Sequence, residues 1–162
     1  SCFLVASLSA ATCATVVIAV RAAVRCRLFQ AGLEGAQVLL VDDEKPLLDV
    51  YASTLAPLFE VTTATNAREA DFILQKKSFK VVVADHLMPG GNGMSFLVRC
   101  REEYPHMQRV LVTGYMKPEM LLRSVNEAAL YRYLLKPVSL PELIKTVQEA
   151  AKLYDQATAG RS

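Results

Sequence analysis

From Gln37 onward the hydrophobic pattern alternates, five times over, between a short apolar run and a segment with apolar residues every three or four positions. The first run is QVLLV, residues 37–41. The segment after it spaces Leu47, Leu48, Tyr51, Leu55 and Leu58 as a helix would, and Pro46 suits a first helical turn. The alternation predicts strands over 37–41, 59–64, 80–84, 109–112 and 131–135. It predicts helices over 45–58, 66–77, 93–104, 118–129 and 140–157. Asn66 reads as an N-cap, with Glu69 three residues on as the other half of a capping box. The third run, KVVVA, is wholly apolar after its lysine. Strands that are apolar on both faces must be covered on both faces. Strands alternating with helices then imply an α/β fold, an open, doubly wound, five-stranded parallel sheet.

In such sheets ligands sit beyond the carboxyl ends of the strands. Four of those ends carry polar residues. Asp42, Asp43 and Glu44 follow the first run, Asp85 the third, Thr113 the fourth and Lys136 the fifth. Carboxylates gathered in one place repel each other and need a cation. Mg2+ prefers oxygen donors and is commonly held by a few carboxylates together with phosphate oxygens. A carboxylate can also attack phosphorus and form an acyl phosphate. Asp85 is the candidate nucleophile, because it ends the central strand and the Met88-Pro89-Gly90-Gly91 turn bends the chain away from it. Thr113 and Lys136 would then touch phosphoryl oxygens and share their charge.

Four motifs in order carry a resemblance: VDDE (41–44), ADHLMPG (84–90), LVTGY (111–115) and YRYLLKP (131–137). Together they resemble the receiver domain of two-component response regulators, over about residues 37–156. The wording of the last two motifs is similar to receivers joined to HD-GYP phosphodiesterases, cyclases or kinases. The resemblance implies a flavodoxin-like sheet of order 2-1-3-4-5. It implies a phosphorylation switch rather than an enzyme, limited to self-phosphorylation and self-dephosphorylation. Asp85 would accept a phosphoryl group from a histidine kinase or phosphotransfer protein. Mg2+ would be held by Asp42, Asp43, Asp85 and the backbone carbonyl of Leu87. Thr113 and Lys136 would bind the phosphoryl group, and Tyr133 would act with Thr113 as an aromatic switch. The Lys136–Pro137 bond would be cis. Output, or homodimer formation, would use the face of the fourth helix, fifth strand and fifth helix, with Lys117, Met120, Leu121, Arg123, Tyr133 and residues 138–140 as candidates. Gly114 departs from the family, which usually has Ala or Ser there. His86 beside Asp85 is also less usual and reads as a solvent-facing loop residue. Met88 reads as core, and His106 as surface.

Rival readings are weaker on the residues. A phosphatase with an aspartyl nucleophile wants a second acid two positions on, where Leu87 stands. No glycine-rich phosphate loop of the GxxxxGK or GxGxxG kind occurs. The remaining alternatives are a fragment of a hybrid histidine kinase or larger regulator, and a phosphorylation-independent interaction module.

Residues 1–30 stand apart from this pattern. Residues 2–20 carry no charge and would span roughly 28 Å as a helix, close to the thickness of bilayer hydrocarbon. Arg21, Arg25 and Arg27 follow, which puts the C-terminal side in the cytoplasm by the positive-inside rule. The segment reads as a membrane anchor that tethers a cytoplasmic domain to the inner membrane. A fragment or misread upstream region, and a cleaved signal peptide, are the alternatives, although the basic n-region of a signal peptide is lacking. The expected organisation is an apolar helix over 1–30, a linker over 31–36, the α/β domain over 37–157 and a tail over 158–162. Residues 31–162 hold fifteen basic and sixteen acidic side chains, a balance that argues against a nucleic-acid surface built on bulk charge. The four cysteines show no C-x-x-C spacing, so neither a disulfide framework nor a zinc site is expected.

Overall fold

The computed structural model describes residues 35–115 and 117–160, with residues 19, 22 and 23. The expected anchor over 1–30 lies almost wholly outside the described residues. Among the described residues no helix is long and apolar enough to cross a membrane.

Five strands form one parallel sheet: β1 (Gln37–Val41), β2 (Glu60–Ala64), β3 (Val81–Asp85), β4 (Gln108–Thr113) and β5 (Arg132–Leu135). Their order is β2-β1-β3-β4-β5, the flavodoxin-like arrangement. Five helices alternate with them: α1 (Lys45–Leu55), α2 (Ala67–Lys76), α3 (Gly93–Glu103), α4 (Pro118–Ala128) and α5 (Leu140–Ala159).

The strand pattern explains the two-sided core. Val38 and Leu40 of β1, Val81 and Val83 of β3, and Val110 and Val112 of β4 point to one face. There they meet Leu48, Tyr51 and Leu55 of α1 and Leu143, Val147 and Ala150 of α5. Leu39, Val41, Val82, Ala84 and Leu111 point to the other face, against Ala70 and Leu74 of α2 and Phe96, Leu97 and Cys100 of α3. Only a strand with both faces covered needs such an unbroken apolar run. β2 and β5 are edges and do not: β5 buries Leu134 alone, and β2 buries only Ala64.

Caps set several element boundaries. Asn66 accepts from Glu69 N at 2.8 Å, as expected of an N-cap. The Glu69 carboxylate reaches one residue further back than a capping box, to Thr65 N at 2.8 Å and Thr65 Oγ1 at 2.9 Å. Asn92 caps α3 through Met94 N at 2.8 Å, and Ser139 caps α5 through Glu142 N at 3.3 Å. α1 ends three residues before the expected 58, and α5 runs two residues past the expected 157.

α4 packs mainly on α3 and leaves the outer face of β5 open. Tyr133 and Leu135 remain exposed, as do Met120 and Leu122 of α4. The C-terminal end of α4 is held by two guanidinium groups. Arg101 donates to the carbonyls of Asn126 and Glu127, at 2.9 and 2.7 Å. Arg109, buried at the start of β4, donates to Ala128 O at 2.8 Å and Ala129 O at 3.3 Å. It also donates to Met107 O at 2.6 Å and Tyr104 O at 3.4 Å. Cationic donors suit the negative end of a helix, whose last carbonyls have no partner of their own.

Candidate functional site

Asp42 directly follows β1. Its backbone N–H donates to Ala64 O at 3.2 Å, which extends the β1–β2 pairing by one residue. Its Oδ1 accepts from Glu44 N at 2.8 Å, so the side chain turns the chain into α1. Asp42 thus shapes the entry to the helix, although Glu44 is the N-cap residue and makes no side-chain cap. Asp43, next along, is exposed. Asp85 is the last residue of β3 rather than the first of a loop, and it is buried.

These three carboxylates converge. Each can offer one oxygen such that all three lie within 4.8 Å of one another. Lys136, just past β5, joins them across the sheet. Its Nζ lies 3.3 Å from Asp42 Oδ2, 3.2 Å from Asp85 Oδ1 and 3.9 Å from Glu44 Oε1. The Lys136 backbone is fixed by its N–H donating to Thr113 O at 2.8 Å and by a cis bond to Pro137, as expected.

The electrostatics follow from one ammonium facing three carboxylates. Burial raises the Asp85 carboxyl above the ordinary aspartate value, the Asp42 charge adds to this, and Lys136 only partly offsets them. Burial works against the Lys136 ammonium, but Asp42 and Asp85 outweigh it and hold its pKa above that of a free lysine. The site is therefore a buried, net-negative cluster of hard oxygen donors. That donor chemistry fits Mg2+, and the three acids are an arrangement typical of receiver Mg2+ sites.

Thr113 is buried at the end of β4, and its hydroxyl donates to Tyr115 O at 3.2 Å. That bond turns it into the loop that follows. Tyr133 faces outward on β5, opposite Leu111 in register. Leu87 lies two residues past Asp85, in a two-residue antiparallel ladder that pairs 87–88 with 91–92. The sequence indicated only a turn there.

His86 is corrected by the structure: it is buried, not solvent-facing. Its N–H donates to Val112 O at 2.8 Å, and its carbonyl accepts from Gly93 N at 3.0 Å. Both backbone groups hold it against the sheet, and the 87–92 ladder closes beside it. Burial pushes its imidazole below the ordinary histidine value. Met88 is buried in the core, as expected.

Two neighbours of the site carried no functional signal in the sequence. A Cβ on Gly93 would lie 1.9 Å from the carbonyl oxygen of Asp85, so α3 approaches the end of β3 more closely than any side chain allows. Tyr51 read only as a core position of α1. It lines a small cavity together with Asp42 and Asp85.

Residues 38–148 match the family model of the response regulator receiver domain. The chain is 39% identical over 117 residues to the hydrogenase transcriptional regulatory protein HoxA of Cupriavidus necator, covering 72% of this chain and 24% of that protein. It is 31% identical over 117 residues to the response regulator protein FleR of Pseudomonas aeruginosa, with the same coverage. The chain thus spans about a quarter of the length of these curated relatives. Among solved structures, it is similar to the signal receiver domain of an HD domain-containing protein from Pseudomonas fluorescens. That match has a TM-score of 0.72 and 27% identity, over 76% of this chain and 99% of that one. The chemotaxis response regulator CheY4 of Vibrio cholerae matches with a TM-score of 0.66 and 30% identity, over 72% and 98%.

Proposed function

This chain belongs to the response regulator receiver family, and on that premise we propose that Asp85 is its phosphoacceptor. Receiver domains are phosphorylation switches of two-component signalling, partnered by histidine kinases. The donor here is a phosphohistidine of such a kinase or of a phosphotransfer protein. The P–N bond of the donor breaks as a P–O bond to an Asp85 carboxylate oxygen forms, and the donor imidazole leaves. Hydrolysis then returns inorganic phosphate and the free carboxylate.

Asp42, Asp43, Asp85 and the Leu87 carbonyl would hold Mg2+, which when bound neutralises charge on the phosphoryl oxygens. Lys136, beside Asp42 and Asp85, would contact the phosphoryl group as well. Thr113 releases the Tyr115 carbonyl to reach the new oxygens, and Tyr133 follows it inward. Gaining a phosphoryl group in this way biases a loop with two arrangements. The exposed face of α4, β5 and α5 carries the output, through Met120, Tyr133 and Leu140 among others. The observation that carries this reading is the position of Lys136 Nζ, within 3.3 Å of acids from two other strand ends.

The test is incorporation of phosphate from acetyl phosphate with Mg2+, using Asp85→Asn as control. About one base-labile phosphate per chain, lost in the variant, is the expected outcome. A wild type that gains none overturns the reading and revives a phosphorylation-independent interaction module. The length of the curated relatives favours a second, compatible reading, in which this receiver regulates a longer transcriptional regulator. Mapping the ends of the open reading frame tests it.

A further inference from the structure

Beside the acidic pocket lies a cavity of about 10 Å³, lined by Asp42 and Asp85 and by Tyr51, Leu48, Leu40, Val41, Val83 and Val112. Tyr51 is on the buried face of α1 and is 5% exposed. Burial raises its phenol above the ordinary tyrosine value, and the charges of Lys136, Asp42, Asp85 and Glu44 all reach it. The phenol keeps its proton at neutral pH, and Tyr51 shares this cavity with Asp42 and Asp85. The other walls are aliphatic, so the polar groups at this cavity are the phenol and two carboxylates. Its volume is of the order one water molecule needs, and three polar partners are what a buried water typically has.

We propose that Tyr51 is a positioning residue of the phosphoacceptor site, acting through a single water held between its hydroxyl and the carboxylates of Asp42 and Asp85. The water accepts from the Tyr51 hydroxyl and donates one hydrogen bond to each carboxylate. Two acids that would otherwise turn away from each other are thereby braced. Asp42 already accepts from Glu44 N through Oδ1 and from Lys136 through Oδ2, so the water shares one of these oxygens. A leucine would fill the same core position, but it could not complete this network. This inference rests on the reading of Asp85 as phosphoacceptor.

The test pairs a crystal structure of the wild-type chain at about 1.5 Å or better with kinetics of Tyr51→Phe, which keeps the ring and loses only the hydroxyl. Ordered water is expected in the cavity of the wild type and not in the variant. With acetyl phosphate at saturating Mg2+, the maximal rate of phosphate uptake should fall roughly three- to tenfold, what one hydrogen bond is worth. Half-saturation for acetyl phosphate should stay where it was. A core residue without a positioning role predicts an unchanged rate per folded molecule, because Tyr51→Phe keeps the packing of the ring. A dry cavity in the wild type, or a Tyr51→Phe rate within twofold of wild type, overturns the proposal. A wild type that takes up no phosphate overturns the phosphoacceptor reading instead, and the crystallographic result still decides whether the water is there.

Discussion

Gly93→Ala tests how tightly the end of the central strand is built. The added Cβ would lie 1.9 Å from Asp85 O, 2.9 Å from Asp85 C and 3.2 Å from His86 Cα. All three are backbone atoms, so no side chain can rotate out of the way. Ordinary contact begins near 3.4 Å, so roughly 1.5 Å of movement must be found in a close-packed interior. β3 is paired on both sides, by β1 and β4, and the first turn of α3 must yield instead. That movement breaks the bond from Gly93 N to His86 O at 3.0 Å and misaligns the Asn92 cap on Met94 N. Each loss is worth about 1 kcal/mol, and overpacking adds about 1–3 kcal/mol. The better helix propensity of alanine returns only about 0.5–1 kcal/mol. The net destabilisation is about 2–4 kcal/mol, a large share of the roughly 5–15 kcal/mol that holds a domain folded. Urea unfolding followed by far-UV circular dichroism should show the midpoint falling by about 1 M or more, with an unchanged slope. Gly114→Ala is the control. Its Cβ meets nothing within 4 Å, and its cost should stay within about 0.5 kcal/mol. If the two variants unfold alike, the close approach of α3 to Asp85 is wrong.

The remaining predictions concern charge and the clamp on α4. Asp85 has a raised pKa, so the folded chain binds a proton there more tightly than the unfolded chain does. Without Mg2+, its contribution to stability therefore falls as pH rises from the unfolded carboxylate range through the raised folded value. Asp85→Asn removes this penalty, and in EDTA its thermal midpoint should exceed that of wild type at pH 7. The gap should close toward acid pH; a constant gap refutes the assignment. Millimolar Mg2+ should raise the wild-type midpoint by a few degrees through binding to the folded state, and Asp42→Asn should lose that response. Lys136→Met leaves the buried carboxylates without their ammonium. It should cost about 1–3 kcal/mol in EDTA, and Mg2+ should recover more of the midpoint than it adds to wild type. Arg109→Met strips charged donors from four backbone carbonyls and should cost about 3 kcal/mol. Hydrogen exchange should rise at the C-terminal end of α4 before it rises in β4.

Most of the scaffold was legible because each strand advertises its environment. KVVVA can satisfy a two-sided burial only in the middle of a covered parallel sheet, and Val81, Val82, Val83 and Ala84 are all buried there. The acids were legible for the same reason: a polar residue that ends an apolar run stands at the rim where ligands bind. The sheet order brought Asp42, Asp85 and Lys136 to one place from positions 94 residues apart in the chain. The sequence alone carried that grouping as an expectation, since no local pattern measures which strand ends are neighbours.

What stayed illegible depends on atoms approaching from elsewhere in the fold. His86 alternates out of phase with Asp85, and beside a glycine-rich turn a polar residue ordinarily faces water. Here Gly93 lets α3 come close, both backbone groups of His86 are bonded, and the residue is buried. Arg109 read as the edge of a strand, because its partners are carbonyls from the end of α4 and from the turns after α3 and α4. Tyr51 sits at a helical spacing that any apolar residue would satisfy, so its hydroxyl adds nothing to the periodicity. In each case the side chain is ordinary for its own element, and its distinction comes from the partner. A period of two or of 3.6 residues reports which face a residue is on. It is silent on which backbone carbonyl, carboxylate or glycine waits on the other side, and those contacts fix where the carboxylate of Asp85 points.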